Sequence, residues 1–325
     1  MAGSVECTLC PRRCVLANYQ RGDCRVRVNV EGRLKTLVFG KACTSHVDPV
    51  EKKPLYHFLS GTAIYSLATA GCNLHCKYCQ NWEISQVDPE DTRNADLPPE
   101  MITAEALAAG CRSVAYTYSE PTIFIEYVLA SARHARQHGL RTVLVTAGYI
   151  NDEPLREVCR WTDAANVDLK ALSDSFYRNV CGGRLAPVLR ALTTYKEMGV
   201  WLEVTNLIVP GLNDTEADVT RLVRWHHNNL GVDTPLHFSR FFPMYKLANL
   251  PPTPEATLVM ARDLARAEGL RYVYVGNLPE GGANGTYCPR CNAALVERKG
   301  FDVVAYRLED GKCPACGMPI PGIWE

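Results

Sequence analysis

The sequence predicts an α/β protein built on a partial (β/α) barrel of six or seven units, with small cysteine-rich metal-binding segments at its two ends. Three observations carry the prediction. Short β-branched runs alternate with helical stretches through the middle of the chain, polar residues close most of those runs, and paired cysteines cluster near both termini. The expected division is a cysteine-rich segment over 1–58, the barrel over 59–280 and a zinc-ribbon-like or rubredoxin-like segment over 281–325.

In the first segment Cys7, Cys10, Cys14 and Cys24 form C-x2-C-x3-C-x9-C, with Pro11 and two arginines in the first loop. Zinc is the leading expectation there; an additional iron–sulfur cluster and plain thiols stay open. The barrel strands are expected at "IYSLAT" from Ile64, "SVAYTY" from Ser113, "RTVLVT" from Arg141, "ANVDLK" from Ala165, "WLEVTN" from Trp201, "LHFSR" from Leu236 and "YVYVGN" from Tyr272. Between them, Pro121 opens a helix that Gly139 stops. A second helix opens at Pro254 behind an N-cap Thr253 and stops at Gly269. Six or seven such units fit a partial or complete barrel better than an open doubly wound sheet.

Chemistry in such a barrel gathers at the C-terminal strand ends. There stand Ser119 and Glu120, Thr146, Asp168 and Lys170, Asn206, and Arg240, and directly after the first strand comes "GCNLHCKYCQNW" from Gly71. Singly, each polar residue reads as a surface pair or cap; their shared place relative to six strands favours a site.

The chain holds 15 cysteines in 325 residues. Random placement would give roughly 0.7 C-x2-C pairs and about 0.03 occurrences of C-x3-C-x2-C. The chain has Cys7/Cys10, Cys76/Cys79, Cys288/Cys291 and Cys313/Cys316, plus the triplet Cys72, Cys76, Cys79. A closed zinc site or fully ligated cluster takes four ligands, so a triplet leaves one position unfilled. Cys43, Cys111, Cys159 and Cys181 read as small buried hydrophobes. At the C-terminus, Cys288, Cys291, Cys313 and Cys316 form two knuckles, each with proline after its first cysteine, suited to a closed tetrahedral site for zinc or rubredoxin-like iron. "GGANG" from Gly281 reads as the linker before them.

Lys plus Arg and Asp plus Glu balance at 35 each, so no global field draws the chain to nucleic acid or an anionic membrane. The start, "MAGSVECTLCPRRC", has no apolar signal region, no apolar run approaches the ~20 residues of a membrane span, and 15 thiols suit a reducing compartment, so a soluble cytoplasmic protein is expected.

At this point the residues carry a resemblance. C-x3-C-x2-C after the first barrel strand resembles the radical S-adenosylmethionine superfamily. The runs "CTLCPRRC", "VDPVEKKPLYHFLSG", "GCNLHCKYCQNWEISQ", "YTYSEPTIFIEY" and "HFSRFFPMYKL" resemble, over nearly the whole chain, the radical enzyme of the AmmeMemoRadiSam group, related to pyruvate formate-lyase activating enzymes. The resemblance implies a [4Fe-4S] cluster on Cys72, Cys76 and Cys79, whose fourth iron chelates S-adenosylmethionine, and reductive cleavage to a 5′-deoxyadenosyl radical that abstracts hydrogen. It implies Tyr78 beside the adenine, with His75 and Trp82 near the same pocket and His75 no ligand. It implies Glu120 on the methionine ammonium, and Asp168, Lys170, Thr146 and Asn206 at cofactor-binding strand ends. Tyr118 and Ser119 stand where relatives carry two glycines, and Val145 where an activase carries aspartate. Expected partners are an electron donor such as flavodoxin or ferredoxin, and Memo-type and AMMECR-type proteins. A glycyl-radical-enzyme activase is the alternative activity; a metal-bound nucleic-acid-binding or electron-carrier protein is the alternative class, which leaves the barrel or the triplet unexplained.

Overall fold

A computed structural model describes residues 3–278 and 284–325. Its centre is an eight-stranded sheet whose strands lie side by side in chain order: β1 (Thr44–Pro49), β2 (Ala63–Ala68), β3 (Ser113–Tyr116), β4 (Arg141–Thr146), β5 (Ala164–Asp168), β6 (Trp201–Ile208), β7 (Leu236–Arg240) and β8 (Val273–Gly276). β2 to β8 run parallel, and β1 is an antiparallel edge. A strand order that never reverses has no doubly wound switch point and curls one way, as in a barrel. Among the described residues no ladder joins β8 to β1, so the barrel is partial.

Parallel strands need crossovers, and helices supply them: α1 (Pro99–Ala108), α2 (Ile125–Gln137), α3 (Asp152–Cys159), α4 (Leu185–Glu197), α5 (Glu216–Leu230) and α6 (Glu255–Ala267). The stops expected at Gly139 and Gly269 have φ of +81° and +95°, the left-handed turn that glycine takes without steric cost. Two helix starts differ from expectation. Pro121 opens a single 3-10 turn, Pro121–Phe124, before α2 begins. Thr253 does not cap α6: its hydroxyl donates to the Ile208 carbonyl (2.6 Å) and accepts from the Phe241 N–H (2.8 Å), tying the ends of β6 and β7 together. β1 is an element the sequence reading did not expect; "TSHVDP" carries neither alternation nor an apolar run, and its pairing with β2 orders it.

α5 carries a buried oddity. His226 is fully buried and neither ring nitrogen has a hydrogen-bond partner. Burial first, then Lys196, push it down to about 3, so it is neutral in the native state. The unfolded chain takes up a proton below its ordinary pKa near 6.5, so this contribution to stability is present above that pH and is lost as pH falls toward 3. Between pH 7 and 5 the loss due to His226 is roughly 2 kcal/mol. His226→Leu should remove that increment, seen as a change in the wild-type-minus-variant unfolding free energy between the two pH values in urea. A difference that stays constant would refute it.

A three-stranded ribbon follows at the C-terminus: β9 (Thr286–Tyr287), β10 (Ala294–Lys299) and β11 (Asp302–Tyr306). The ribbon is bolted to the barrel by Arg298, whose side chain has no solvent exposure. Its guanidinium donates to the Tyr56 carbonyl (2.8 Å), Ser60 Oγ (2.8 Å), the Asn284 carbonyl (3.0 Å) and Thr286 Oγ1 (3.0 Å), and pairs with Glu51 at 3.5 Å. The Gly281–Ala283 part of the expected linker lies outside the described residues. Among the described residues no helix is long and apolar enough to cross a membrane.

Candidate active site and metal centres

The loop after β2 begins at Gly71, φ +91°, where a Cβ would stand 2.4 Å from the Cys24 carbonyl and 2.8 Å from Val26 Cγ1. Only glycine lets the N-terminal segment press this close. Cys72, Cys76 and Cys79 follow and line one side of a cavity of about 450 Å³ at the C-terminal ends of the strands. Burial, with Glu120 second, pushes the Cys72 thiol well up. Cys76 is raised by its hydrogen bond with Cys181 and by burial, and Cys79 by burial. Thiols that hold their protons must release them to bind metal, so loading is favoured by rising pH.

Glu120 also lines the cavity and is 2 % exposed. Its Oε1 accepts from Thr146 Oγ1 (2.6 Å), Thr122 Oγ1 (2.7 Å) and the Thr122 N–H (3.1 Å), and its Oε2 accepts from the Ala147 N–H (2.8 Å). The carboxylate therefore caps the 3-10 turn and joins the ends of β3 and β4, while Oε2 keeps acceptor capacity for a ligand. Thr146 positions Glu120 and also lines the cavity. Ser119 donates to the Thr69 carbonyl (2.7 Å). Tyr118, one of the two residues standing in for glycines, has φ +61°, so the chain takes the left-handed turn even with a side chain. That conformation is held by Tyr118 donating to Asp48 and by Lys53 Nζ lying 4.2 Å over its ring.

Asp168 and Lys170 pair at 2.8 Å at the end of β5, both on the cavity. The pair lies within one strand end rather than across adjacent strands. Burial opposes the lysine charge, but Asp168, Cys76 and Cys181 outweigh it and hold the ammonium well above the ordinary lysine range. Tyr78 lines the cavity with Lys170 Nζ 6.0 Å from its ring centre, its hydroxyl 3.5 Å from Cys181 Sγ.

Some expected residues stand apart. Asn206 does not line the cavity; its amide donates to the carbonyls of Leu169 (2.7 Å) and Lys170 (3.2 Å), shaping the strand end from behind. Arg240 donates to the Thr253 carbonyl (2.8 Å). His75 is engaged at both ring nitrogens, by Asp23 and Gln86 at 2.8 Å each. Trp82 stacks on Tyr245 at 5.3 Å.

Other lining residues were missed. Lys53 joins the cavity from the segment after β1 and pairs with Asp48 at 2.7 Å; burial, only partly opposed by Asp48, pushes it down to about 8. His237 lines the floor and donates through Nε2 to Glu203 (2.7 Å), which also receives the Tyr56 and His57 N–H groups. Burial would raise Glu203, yet these partners hold it below the ordinary carboxylate range. A lone glutamate inside the apolar run "WLEVTN" was the readable signal for it.

Two further thiol groups lie outside the cavity. Cys288, Cys291, Cys313 and Cys316 place all four sulfurs within 4.8 Å of one another, with Cys288–Cys316 and Cys291–Cys313 at 3.6 Å each. A single tetrahedral ion bound at ~2.3 Å separates thiolates by about 3.8 Å, so this quartet fits one. Cys7, Cys10, Cys14 and Cys24 line a second, small cavity beside the triplet loop.

Comparison with known proteins agrees with this geometry. The sequence model of the Radical SAM superfamily matches residues 66–226. An uncharacterized protein of Methanocaldococcus jannaschii is 44% identical over 318 residues, covering 97% of this chain and 95% of that protein. The pyruvate formate-lyase-activating enzyme of Staphylococcus epidermidis is 25% identical over 170 residues, 49% of this chain and 66% of the enzyme. Among solved structures, Streptococcus suis SuiB superposes with a TM-score of 0.52 at 13% identity, over 71% of this chain and 52% of that one. A radical SAM methyltransferase from Sphaerobacter thermophilus gives 0.50 at 17% identity over 66% of each chain. At these identities the structural likeness speaks for the fold alone.

Proposed function

Because this chain belongs to the radical SAM superfamily and resembles pyruvate formate-lyase activating enzymes, we propose that Cys72, Cys76 and Cys79 hold a [4Fe-4S] cluster at which S-adenosylmethionine is reductively cleaved for hydrogen abstraction from a substrate. The observation that carries the reading is the meeting of three thiols with Glu120, Asp168 and Lys170 around one cavity. The donor set fits: His75 is otherwise engaged, so the triplet loop offers three ligands and would leave one iron of such a cluster without a ligand from that loop. When bound, the cluster supplies the electron that splits S-adenosylmethionine into methionine and a 5′-deoxyadenosyl radical.

The residues of the chain do the rest. Glu120 would take the methionine ammonium on Oε2, with Thr146 and Thr122 fixing the carboxylate. Tyr78 would offer a ring face to the adenine. The Asp168–Lys170 pair keeps a fixed charge beside the cofactor, and the buried walls limit water and stray hydrogen donors. The C-terminal quartet would hold zinc in a structural role, and an electron donor such as flavodoxin or ferredoxin would reduce the cluster in the cytoplasm. A second reading, favoured by the match to activating enzymes, takes a glycine Cα of a partner protein as the substrate. Association with Memo-type and AMMECR-type proteins follows from the AmmeMemoRadiSam resemblance.

The test is anaerobic incubation of cluster-loaded protein with dithionite and S-adenosylmethionine, followed by chromatography. 5′-Deoxyadenosine is expected; none from a cluster-replete sample would sink the proposal. Repeating it with deuterated cell extract, and asking which molecule passes deuterium to 5′-deoxyadenosine, identifies the substrate class.

A further inference from the structure

Cys7, Cys10 and Cys14 from one loop, and Cys24 from the next, reach one small cavity. The knuckle is set by the Cys7 N–H donating to the Cys14 carbonyl (2.9 Å) and by Arg13 turning at φ +47°. Gly22 brings the last two thiols in: a Cβ on it would lie 3.8 Å from both Cys14 Sγ and Cys24 Sγ, ordinary contact distance. The sequence pattern pointed first to zinc. The geometry points elsewhere.

A zinc ion bound at ~2.3 Å draws its four thiolates to about 3.8 Å of one another. The C-terminal quartet shows that arrangement, and among the described residues it is the only group of three or more His, Cys, Asp or Glu ligand atoms within 4.8 Å of one another. No three of Cys7, Cys10, Cys14 and Cys24 are so close, although all four face the same space. Four thiols around a void, rather than around a point, suit a ligand with a body of its own. A four-iron cube is such a ligand, since it puts its own edges between the thiolates it binds.

The remaining lining suits an anionic sulfur cluster. Arg27 is 4 % exposed; its Nη2 pairs with Glu126 at 2.5 Å, and its Nε has no hydrogen-bond partner. Asn73 is wholly buried; its Nδ2 donates to the Tyr149 carbonyl (2.7 Å), and its side chain also meets Cys10. Arg12 contributes a second guanidinium, paired with Asp23 at 2.9 Å, and Leu9 and Ile123 close the space with apolar surface. A buried guanidinium N–H left without a partner is costly unless a ligand satisfies it. Charge and N–H groups around cluster sulfur are also among the protein's levers on its potential.

We propose that Cys7, Cys10, Cys14 and Cys24 bind a second [4Fe-4S] cluster, fully ligated by protein, one residue away from the triplet loop through the Asn73–Cys10 contact. The test counts metal in full-length protein isolated anaerobically. Wild type is expected to carry about eight iron and about eight acid-labile sulfide per chain; the Cys72→Ala/Cys76→Ala/Cys79→Ala variant should keep about four of each. A triple variant that carries zinc in place of that iron overturns the proposal. Should the triple variant not fold, Cys14→Ala/Cys24→Ala decides: iron is expected to fall from about eight to about four, with the electron paramagnetic resonance signal of the remaining cluster still altered by added S-adenosylmethionine. Wild type with only about four iron, or iron unchanged in that double variant, overturns it equally. None of these counts depends on whether 5′-deoxyadenosine forms, so they stand apart from the activity proposed above.

Discussion

Replacing Cys72, Cys76 and Cys79 together by alanine is expected to reduce cleavage of S-adenosylmethionine to background, the largest functional loss any substitution in this chain should produce. The three thiols line the cavity from one loop, and no other side chain in that loop is free to ligate: His75 is held by Asp23 and Gln86. Without them nothing anchors a cluster there, and the electron has no route to the sulfonium. The fold should persist, because the loop is held by contacts that do not involve the thiols, including Gly71 against Cys24 and Asn73 Nδ2 donating to the Tyr149 carbonyl at 2.7 Å. Chromatography of 5′-deoxyadenosine, with circular dichroism alongside, checks both. Cleavage retained by a folded triple variant would refute the assignment.

Glu120→Gln is expected to weaken S-adenosylmethionine binding roughly 10- to 150-fold, the equivalent of the ~1.5–3 kcal/mol carried by a hydrogen bond to a charged group. The structure adds a second effect. A glutamine amide cannot accept on both sides, so either the Ala147 N–H or the three donors on Oε1 lose an acceptor, and stability should fall by about 1–3 kcal/mol. Thr146→Val separates the two effects. It removes one donor to Glu120 and leaves the charge, so it should lower the melting temperature while changing affinity less than about threefold. Anaerobic titration of both cluster-loaded variants gives the answer. Unchanged affinity in Glu120→Gln with a lowered melting temperature would make Glu120 a cap and nothing more.

The seven parallel strands stand where β-branched runs placed them, each end within two residues, because parallel strands are covered on both faces and must be apolar almost throughout. Side-chain direction was harder to read. Asn206 ends a strand as Asp168 does, yet it turns away from the cavity to hold the Leu169 and Lys170 carbonyls, and no spacing rule distinguishes the two. The segment from Asp48 to Lys53 was legible only as part of a resemblance. Its order comes from partners far along the chain: Tyr118 for Asp48 and Lys53, and Arg298 for Glu51. The three thiol groups were visible as patterns, but the number of metal atoms each could hold depends on sulfur spacing, which only three dimensions give.

The bolt at Arg298 sets how short this protein can be made. The family match ends at residue 226 and the last barrel strand at Gly276, so sequence similarity invites a truncated form that omits the ribbon. That cut would leave Glu51 with its carboxyl in the interior and no guanidinium opposite, the Tyr56 carbonyl without its donor, and the Tyr56 ring bare where Arg298 lies 4.2 Å above it. Removing one partner of a buried ion pair costs about 3–5 kcal/mol, a large share of a typical domain's ~5–15 kcal/mol. The smallest autonomous unit is thus fixed by interior electrostatics, and it extends past the last barrel strand to include the ribbon that carries Arg298.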